Sequence, residues 1–459
     1  STVEQPLETQ GGGIVEVNAA PGLRMHLDPS YGCARPVGEA IINALFAPGE
    51  TGRVPTVAVT GNNGKTTTVR LISHLLTQRG LHVGMTGTDG VWIGGRRIDT
   101  GDCSGPRSAR SVLAHPDVEA AVFETARGGM LREGLAFDRC DVAVFTNIGR
   151  GDHLGLNYID TAEQLAQVKG TIVRNVAPNG MAVLNAADPL VAALAPSCPG
   201  AVTFFARDRH HPIMAAHRVR GQRVVFEEAG AIVAAQGSVE HRFALADIPF
   251  TKDGLLRFQV ENAMAAIAAV WALGLEWNTV REGLKGFSTD AAGVPGRFNI
   301  AYHQGATVIA DYGHNPDAMV ALVEAVEALP SRRRSVVISG AGDRRDVDLS
   351  DQTRILGQAF DDVVLYQDAC QRGRSDGEVL ALLRQGLVGA RRTRRIEEIR
   401  GEFHAIDTAL RRLRPGDLCL ILVDQVEQAL AHIARRIDGI APMMQPAAKA
   451  SQIGFAQAA

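Results

Sequence analysis

Short apolar runs alternate with stretches of helical periodicity along most of the chain. Between two such runs, Val69, Ile72, Leu75 and Leu76 recur at the spacing that places apolar side chains on one face of a helix. Strand-length runs that alternate with helices predict an α/β fold, a largely parallel sheet covered by helices. The predicted strands are 56–60, 120–124, 142–147, 181–185, 307–311, 335–339, 362–366 and 418–423.

Polar or acidic residues stand at or near the ends of several of these predicted strands. Ligands of open α/β sheets bind at the carboxyl ends of the strands, so these positions are the first candidates for a site. They are Thr60, Glu124, Asn147, Asp311 and Asp368.

A break in the alternation predicts a domain boundary. Residues 288–295 contain Gly and Pro, follow a helical stretch and precede a new apolar run at 298–303, as a linker does. A chain of 459 residues is also too long for one core, since domains run at roughly 150 residues each. We therefore predict a central domain over 49–294 and a C-terminal domain over 295–441.

The segments outside these two domains have a different character. Residues 442–459 are rich in Ala and Gln without a period, which predicts a loose tail. Residues 1–48 form a separate N-terminal segment, and the chain opens on Ser1 rather than Met, so we expect that it begins inside a longer protein. Within the central domain, 205–248 alternates apolar pairs with polar turns, typical of a small β insertion.

Composition and charge argue against several classes of function. Lys and Arg number 47 against 50 Asp and Glu, a net charge of −3, whereas nucleic-acid binders usually carry a basic domain. No apolar run approaches the ~18 residues that a membrane span needs. The six cysteines are scattered without a CxxC pair, which disfavours a zinc cluster or a disulfide scaffold. We therefore expect a cytoplasmic protein that binds neither nucleic acid nor membrane.

The strongest motif follows the first predicted strand. The sequence GNNGKTT runs from that strand into a helix, as a shortened P-loop does. Its glycines let backbone N–H groups surround an anion, its lysine reaches the terminal phosphates, and its first threonine can bind Mg²⁺. The alternative is a Gly-rich turn with a surface lysine. The candidate nucleotide-binding residues are Gly61, Asn62, Asn63, Gly64, Lys65, Thr66 and Thr67.

Three further residues lie at strand ends or just beyond them. Glu124 ends one predicted strand, His153 follows another in an Asp-His-Leu sequence, and Lys169 lies on a predicted helix over 161–173. A carboxylate, an imidazole and the P-loop Thr66 form a set suited to Mg²⁺ beside phosphates. Taken singly, His153 could be a hydrogen-bonded loop histidine, and Glu124 a helix cap or a solvated strand end.

These motifs, in this order, resemble the Mur ligase superfamily, which includes folylpolyglutamate synthetase. Further matches are FQVENAMAA, PGR, DYGHNP and GDRR, and the resemblance covers nearly all of 49–440. It implies that ATP and Mg²⁺ are bound, with Lys65 on the phosphates and with Thr66, Glu124, His153 and Lys169 at the metals. Lys169 matches a lysine that many Mur ligases carbamylate. The resemblance also places Asn262 at the adenine, Arg297 and Asp311 at phosphate and ribose, and His314 in the catalytic group.

Finer strings resemble the cyanophycin synthetase family, namely TGTDGVWIGG, GDCSGPRSAR, ETARGGMLREGLAFDRCDV and QRGRSDGE. That family builds polyaspartate with arginine on each β-carboxylate, and its Mur-like part is associated with arginine addition. Residues 12–22 resemble the last strand of the ATP-grasp domain that precedes this part, with Glu16 and Asn18 as its metal residues. The alternative is an ordinary strand end followed by a turn.

The resemblance implies an ATP-dependent ligase that couples arginine to a polyaspartate or cyanophycin primer through an acyl phosphate. Residues 104–108 would hold substrate, and aspartate addition is expected to be absent from this chain. We also expect a homo-oligomer. The alternatives are a Mur or folate-type ligase with another acceptor, and a non-catalytic ATP-binding module. The arginine runs at 332–334 and 391–395 are either solvated surfaces or an electrostatic attraction for polyaspartate.

Overall fold

The computed structural model describes residues 5–11, 16, 18–367 and 371–437. It divides into two units, Ser1–Val54 and Pro55–Ala459. Among its described residues, the first unit has three short helices, and the residues of the second and third of these are not buried. The helices are α1 (Leu7–Gln10), α2 (Arg24–Leu27) and α3 (Val37–Leu45).

The predicted ATP-grasp remnant lies in this first unit. Residues 12–15 and 17, five of the eleven residues of its proposed strand, lie outside the described residues. Of the two proposed metal residues, Asn18 donates a hydrogen bond from Nδ2 to Glu16 Oε1 at 3.2 Å. The remnant stays a prediction, as do the domain boundaries and the tail at 442–459, which also lies outside the described residues.

Within the described residues of the second unit, eleven strands form one sheet in the order β11-β10-β9-β8-β7-β6-β1-β5-β2-β3-β4. The seven strands from β9 to β2 in this order pair in parallel, and antiparallel strands extend both edges. The strands are β1 (Thr56–Thr60), β2 (Val83–Gly87), β3 (Gly90–Ile93), β4 (Arg96–Asp99), β5 (Ala120–Glu124), β6 (Cys140–Phe145), β7 (Val176–Asn185), β8 (Ala201–Asp208), β9 (Arg223–Glu228), β10 (Ala231–Gln236) and β11 (Val239–Ala244).

Helices cover both faces of this sheet, and so every residue of β1 is buried, as in a central parallel strand. One face packs against α4, α11 and α12, and the other against α7 to α10. The helix α11 is rich in alanine and buried along most of its length, which lets it pack closely on the sheet and on α4. The helices are α4 (Lys65–Gln78), α5 (Pro106–Leu113), α6 (Arg127–Glu133), α7 (Ala162–Lys169), α8 (Thr171–Arg174), α9 (Pro189–Ala192), α10 (Pro212–Val219), α11 (Arg257–Ala272) and α12 (Trp277–Gly286).

A second sheet of six described strands has the order β12-β13-β17-β14-β15-β16. All its pairs are parallel except the hairpin between β12 and β13. Its strands are β12 (Asn299–His303), β13 (Ala306–Asp311), β14 (Arg334–Ile338), β15 (Asp362–Gln367), β16 (Arg395–Arg400) and β17 (Leu418–Leu422). Its helices are α13 (Pro316–Ala328), α14 (Asp346–Leu356), α15 (Glu378–Gly386), α16 (Glu402–Leu410) and α17 (Val426–Arg436).

The α/β class with mostly parallel strands is confirmed, and the differences from prediction are local. The strand predicted at 181–185 in fact begins at Val176. The prediction missed its first half because Pro178, Asn179 and Gly180 interrupt the apolar pattern there. The β-rich segment predicted over 205–248 is present, but β9 to β11 extend the main sheet. Among the described residues, none of the helices is both long and apolar enough to cross a membrane.

Candidate active site

The loop between β1 and α4 has a backbone that requires glycine at two positions. Gly61 has φ 138° and Gly64 has φ 85°, in the region that side chains with a Cβ disfavour. A Cβ at Gly61 would also overlap Thr146 Oγ1, and one at Gly64 would overlap Asn262 Oδ1. No side chain caps the first turn of α4, so its N–H groups and the helix dipole favour an anion at this point.

The end of β6 holds this loop in place. Asn62 N donates to Asn147 O at 2.8 Å, and Asn63 N donates to Asn147 Oδ1 at 2.9 Å. The hydroxyl of Thr146 donates to Asn63 O at 2.6 Å. Asn147, which the sequence marks as a strand-end candidate, therefore shapes the loop through its backbone and its side chain.

Thr66 is the meeting point of three elements. Its hydroxyl donates to Glu124 Oε2 at 2.9 Å and accepts from Arg297 Nη2 at 3.1 Å. Glu124 ends β5 and is 2% exposed, and Lys65 Nζ lies 4.0 Å from its Oε1. Thr88 N also donates to this carboxylate, at 3.4 Å. A buried carboxylate beside hydroxyl oxygens is a hard donor set, which fits Mg²⁺.

Lys169 is placed by its helix. Thr161 caps α7 in a capping box with Gln164, and Lys169 is the last residue of that helix. Its Nζ donates to Gly61 O at 2.5 Å, so it lies behind the phosphate loop. Burial, with Lys65 nearby, holds the pKa of Lys169 well below its usual range.

Asp152, His153 and His314 form a second cluster in which one ligand atom from each residue lies within 4.8 Å of the others. The carboxylate of Asp152 is paired with the buried guanidinium of Arg344. Arg127 Nη1 donates to His153 O at 2.7 Å, which holds the loop in which His153 has a positive φ of 55°.

The titration behaviour of this cluster follows from burial and from Arg344. Burial, with Arg344 adding to it, lowers the pKa of both His153 and His314 to about 4. Burial alone would raise the pKa of Asp152, but Arg344 and the two histidines bring it well below its usual range. Near neutral pH, the cluster is therefore a carboxylate with two uncharged imidazoles.

The C-terminal domain contacts the phosphate loop directly. Asn315 Nδ2 donates to Asn63 Oδ1 at 2.9 Å, while Asn315 Oδ1 caps α13 by accepting from Ala318 N at 2.8 Å. Arg297 lies over the ring of Tyr312 with its guanidinium carbon 5.2 Å from the centroid.

Asp311 hydrogen-bonds to the backbone of its own domain, whereas Arg297 reaches Thr66 of the central domain. Its carboxylate accepts from Phe298 N at 2.8 Å and from Gly313 N at 2.6 Å. Burial raises the pKa of Asp311 to about 6, against the opposing effects of Arg297 and these two amides. In this arrangement Asp311 holds the segment that carries His314.

One cleft of about 620 Å³ collects these groups. Residues 104–108 and helix α6 line one part of it, and Phe258, Asn262 and Leu322 line another. Asn262 donates from Nδ2 to Gln259 Oε1 at 3.0 Å beside Gly64. The predicted site residues that line the cleft are Asn62, Asn63, Gly64, Lys65, Thr66, Thr67, Glu124, His153, Lys169, Asn262, Arg297, Asp311 and His314.

Gly61 shapes the loop without lining this cleft, and the functional role of each of these residues remains a prediction. Sequence reasoning missed the involvement of Arg344, Arg127 and Thr88, and it assigned Asp152 no role. The adjacency of Asp152 to His153 was a usable signal, and Arg344 stands in the GDRR motif without a role attached. Nothing in the sequence pairs Thr88 with Glu124.

Comparisons with known proteins agree with this architecture. The model of the Mur ligase middle domain matches residues 59–270, and that of the Mur ligase glutamate ligase domain matches 296–422. A solved bifunctional folylpolyglutamate synthase/dihydrofolate synthase from Yersinia pestis CO92 has a TM-score of 0.61 at 18% identity, covering 84% of this chain and 89% of that one. At that identity the likeness shows the fold alone.

Two curated relatives have higher identity. A cyanophycin synthetase of Synechocystis sp. is 41% identical over 441 residues, which is 95% of this chain and 50% of that protein. A UDP-N-acetylmuramoyl-L-alanyl-D-glutamate–2,6-diaminopimelate ligase of Geobacter metallireducens is 28% identical, covering 82% of this chain and 75% of that protein. The chain thus spans about half the length of the cyanophycin synthetase it matches. With both Mur ligase domains present in order over well over half of its length, this chain belongs to the Mur ligase family and is similar to the cyanophycin synthetases within it.

Proposed function

We propose that this chain is an ATP-dependent ligase that joins arginine to the β-carboxylate of an aspartate residue in a polyaspartate chain. The observation that carries the proposal is the convergence of the phosphate loop, buried Glu124 and Arg297 of the C-terminal domain on the hydroxyl of Thr66. The similarity to cyanophycin synthetases supports polyaspartate and arginine as the substrates.

The proposed chemistry has two steps. A β-carboxylate oxygen attacks the γ-phosphorus of ATP, and the bond between that phosphorus and the oxygen bridging to the β-phosphate breaks. ADP departs, and the acceptor now carries an acyl phosphate. The α-amine of arginine then attacks the acyl carbon, inorganic phosphate leaves, and the amine loses a proton to form the amide. Phosphoryl transfer of this kind depends on positioning and on neutralising charge. Lys65, which lies 4.0 Å from Glu124, and Arg297, which donates to the Thr66 hydroxyl, supply positive charge there.

Two groups of residues are suited to hold Mg²⁺. Thr66 and Glu124 offer a hydroxyl and a carboxylate beside the phosphate loop, which suit Mg²⁺ best because it prefers oxygen ligands. Asp152, His153 and His314 offer one carboxylate, which is also paired with Arg344, and two imidazoles, a set with fewer oxygen ligands. When bound, Mg²⁺ would neutralise negative charge on the phosphates. The low pKa of the two histidines keeps their nitrogen lone pairs free near neutral pH.

The substrates would enter from the side formed by 104–108 and α6. Ser104 Oγ donates to Asp102 Oδ1 at 2.5 Å, which orders the start of that segment. Arg107, Arg127 and Arg132 line the same side of the cleft and provide positive charge for the carboxylates of the acceptor chain.

The test is ADP release by the purified chain with ATP and Mg²⁺. We expect release to require arginine and an aspartate-arginine primer with a free β-carboxylate, and mass spectrometry to show a single arginine added. The absence of both ADP release and any new amide would support a non-catalytic ATP-binding module, and ADP release that requires neither substrate would show ATP hydrolysis without ligation. Coupling to a different acceptor in the same assay would support a related ligase, and a ladder of aspartate-arginine units would contradict the addition of arginine alone.

A further inference from the structure

Arg70 makes contacts outside the cleft that the proposed chemistry does not use. It lies on α4, four residues after Thr66, and its side chain is 10% exposed. Its guanidinium pairs with the carboxylate of Asp89, and its Nη1 donates to Gly293 O at 2.9 Å. Neither Arg70 nor Asp89 lines the cleft. A buried guanidinium with partners on two distant parts of the chain holds those parts together.

Gly293 lies between α12 and β12, in the segment that the sequence predicts as the linker between the domains. The linker is a tight turn, since Gly293 N donates to Asp290 Oδ1 at 2.6 Å. Just beyond it, Gly296 N donates to Asn299 Oδ1 at 2.6 Å. Because these bonds leave the segment little conformational freedom, a constraint at Gly293 is carried along it to Arg297.

Arg297 completes a closed ring of contacts between the linker and α4. Thr66 and Arg70 are four residues apart, about 6 Å along a helix. Gly293 and Arg297 are also four residues apart. Arg70 bonds to Gly293 at one end, and at the other Arg297 Nη2 donates to Thr66 Oγ1 at 3.1 Å. The start of α4 and the linker are therefore bridged twice, once in the cleft and once outside it.

The surroundings of Arg70 hold its guanidinium in one place. Its partner Asp89 follows Thr88 in the turn after β2, and Thr88 N donates to the buried carboxylate of Glu124 at 3.4 Å. The ring of Trp92, on β3, lies against Arg70, with the guanidinium carbon 4.8 Å from the ring centroid. Arg70 is therefore a fixed donor toward the linker and not a mobile surface side chain.

We propose that Arg70 is a positioning residue, which fixes the linker so that the guanidinium of Arg297 reaches Thr66 at the phosphate loop. The proposal rests on the proposed function, in which Arg297 neutralises charge during phosphoryl transfer. Misplacing a group by about 1 Å through a change far from the chemistry can lower a rate by ~10²-fold, so an arginine outside the cleft affects the reaction. Arg70 acts through Arg297 and not on a substrate.

The test removes the ion pair without changing the net charge. The test variant is R70M/D89N, and the matched control is R218M/E240Q. Arg218, which also lies over an aromatic ring, donates to a backbone carbonyl at 3.0 Å and to Glu240 Oε1 at 2.6 Å. A general effect of losing such a pair would therefore appear in both variants. Should R70M/D89N not fold, R70K replaces it, because a single ammonium keeps the pair with Asp89 and lacks the second nitrogen that reaches the linker.

The first measurement is the Kd for the ATP analogue AMPPNP with Mg²⁺ by calorimetry, which needs neither turnover nor a known acceptor. We expect R70M/D89N and R297M each to weaken binding about tenfold, as the loss of a charge-assisted contact does, and the control by less than about twofold. The triple variant R70M/D89N/R297M should bind no more weakly than R297M, because Arg70 acts through Arg297. In the ligase assay, R70M/D89N should lower kcat about tenfold and leave the KM for arginine within about twofold.

The outcomes separate this proposal from the proposed function. Additive losses in the triple variant, or unchanged AMPPNP binding in R70M/D89N, would overturn the positioning role and leave the ligase proposal in place. Equal weakening in the control would also overturn it, because the effect would then be general. The expected binding pattern without any new amide would support the positioning role and contradict only the proposed substrates. A wild-type protein that binds no AMPPNP would overturn both proposals.

Discussion

The buried ion pair between Asp152 and Arg344 should be strongly coupled in free energy. The two residues are 192 positions apart and join the central domain to the C-terminal domain, with side chains 12% and 3% exposed. Removing one partner of a buried pair leaves an uncompensated charge, which typically costs about 3–5 kcal/mol. We therefore expect Arg344→Met alone to destabilise the protein by about that amount, because Asp152 would remain buried without its cation.

A double-mutant cycle measures this coupling. The variants are R344M, D152N and the double variant, compared with wild type by urea denaturation at pH 7. The double variant should recover much of the loss, since no charge remains unpaired, and the coupling should be about 3 kcal/mol. The matched control is the exposed pair Arg384 and Glu398, for which the same cycle should give about 0.2–1 kcal/mol.

The pH dependence of the free energy of unfolding gives a second test of the same pair. Because the folded pKa of Asp152 lies below the unfolded value of about 3.9, its contribution is fully present above that pH and is lost as pH falls below it. In R344M burial is no longer offset by Arg344, so this acid-sensitive contribution should shrink or change sign. A coupling as small as that of the exposed control, with an unchanged acid profile, would refute this account of the pair.

Four further predictions concern the site. Lys65→Ala should abolish ADP release, because it removes the positive charge that compensates the phosphates. The circular dichroism spectrum should stay unchanged, because no packing is lost. Near-normal turnover would contradict the assignment of the phosphate loop. Glu124→Gln and His153→Ala should each raise the Mg²⁺ concentration needed for half-maximal rate, and an unchanged Mg²⁺ dependence in both would make them structural residues. Burial lowers the pKa of Lys169, which favours the uncharged amine that reacts with CO₂. Lys169 should therefore give a carbamate signal in ¹³C NMR with labelled bicarbonate, a signal that Lys169→Ala should lack. Burial raises the pKa of Glu261 to about 7, so the free energy of unfolding should fall as pH rises from about 4 to 7. At pH 8, Glu261→Gln should therefore be more stable than wild type by roughly 1–3 kcal/mol. A variant with the wild-type pH profile would contradict this.

The parts of the fold that sequence reasoning predicted are those coded by contiguous residues. The strand at 56–60, the loop after it and the helix that begins at Lys65 are each specified by a few neighbours: β-branched residues, two glycines and a helical period. By contrast, β7 begins at Val176 because that residue pairs with Cys140 of β6, whereas Pro178 and Gly180 just after it give no strand signal. The boundaries that the sequence missed were thus set by tertiary pairing.

The same distinction holds within the candidate site. Lys65, Glu124 and His153 could be named because each follows an apolar run at a position where ligands gather. The pairing of Asp152 with Arg344, and that of Asn63 with Asn315, depend on how the second sheet docks on the first. No periodicity or spacing encodes such a contact, and so those partners could not be derived from one sequence.

Three of the contacts between the domains involve residues of the site. Arg297 reaches Thr66, Asn315 reaches Asn63, and Arg344 reaches Asp152. Each contact pairs a group of the central domain that would face phosphate or metal with a group of the C-terminal domain, so neither domain presents a complete set alone. We infer that phosphoryl transfer is confined to the arrangement in which both domains meet. An acyl phosphate formed there would be shielded from water until the amine attacks, which is the condition that favours amide formation over hydrolysis.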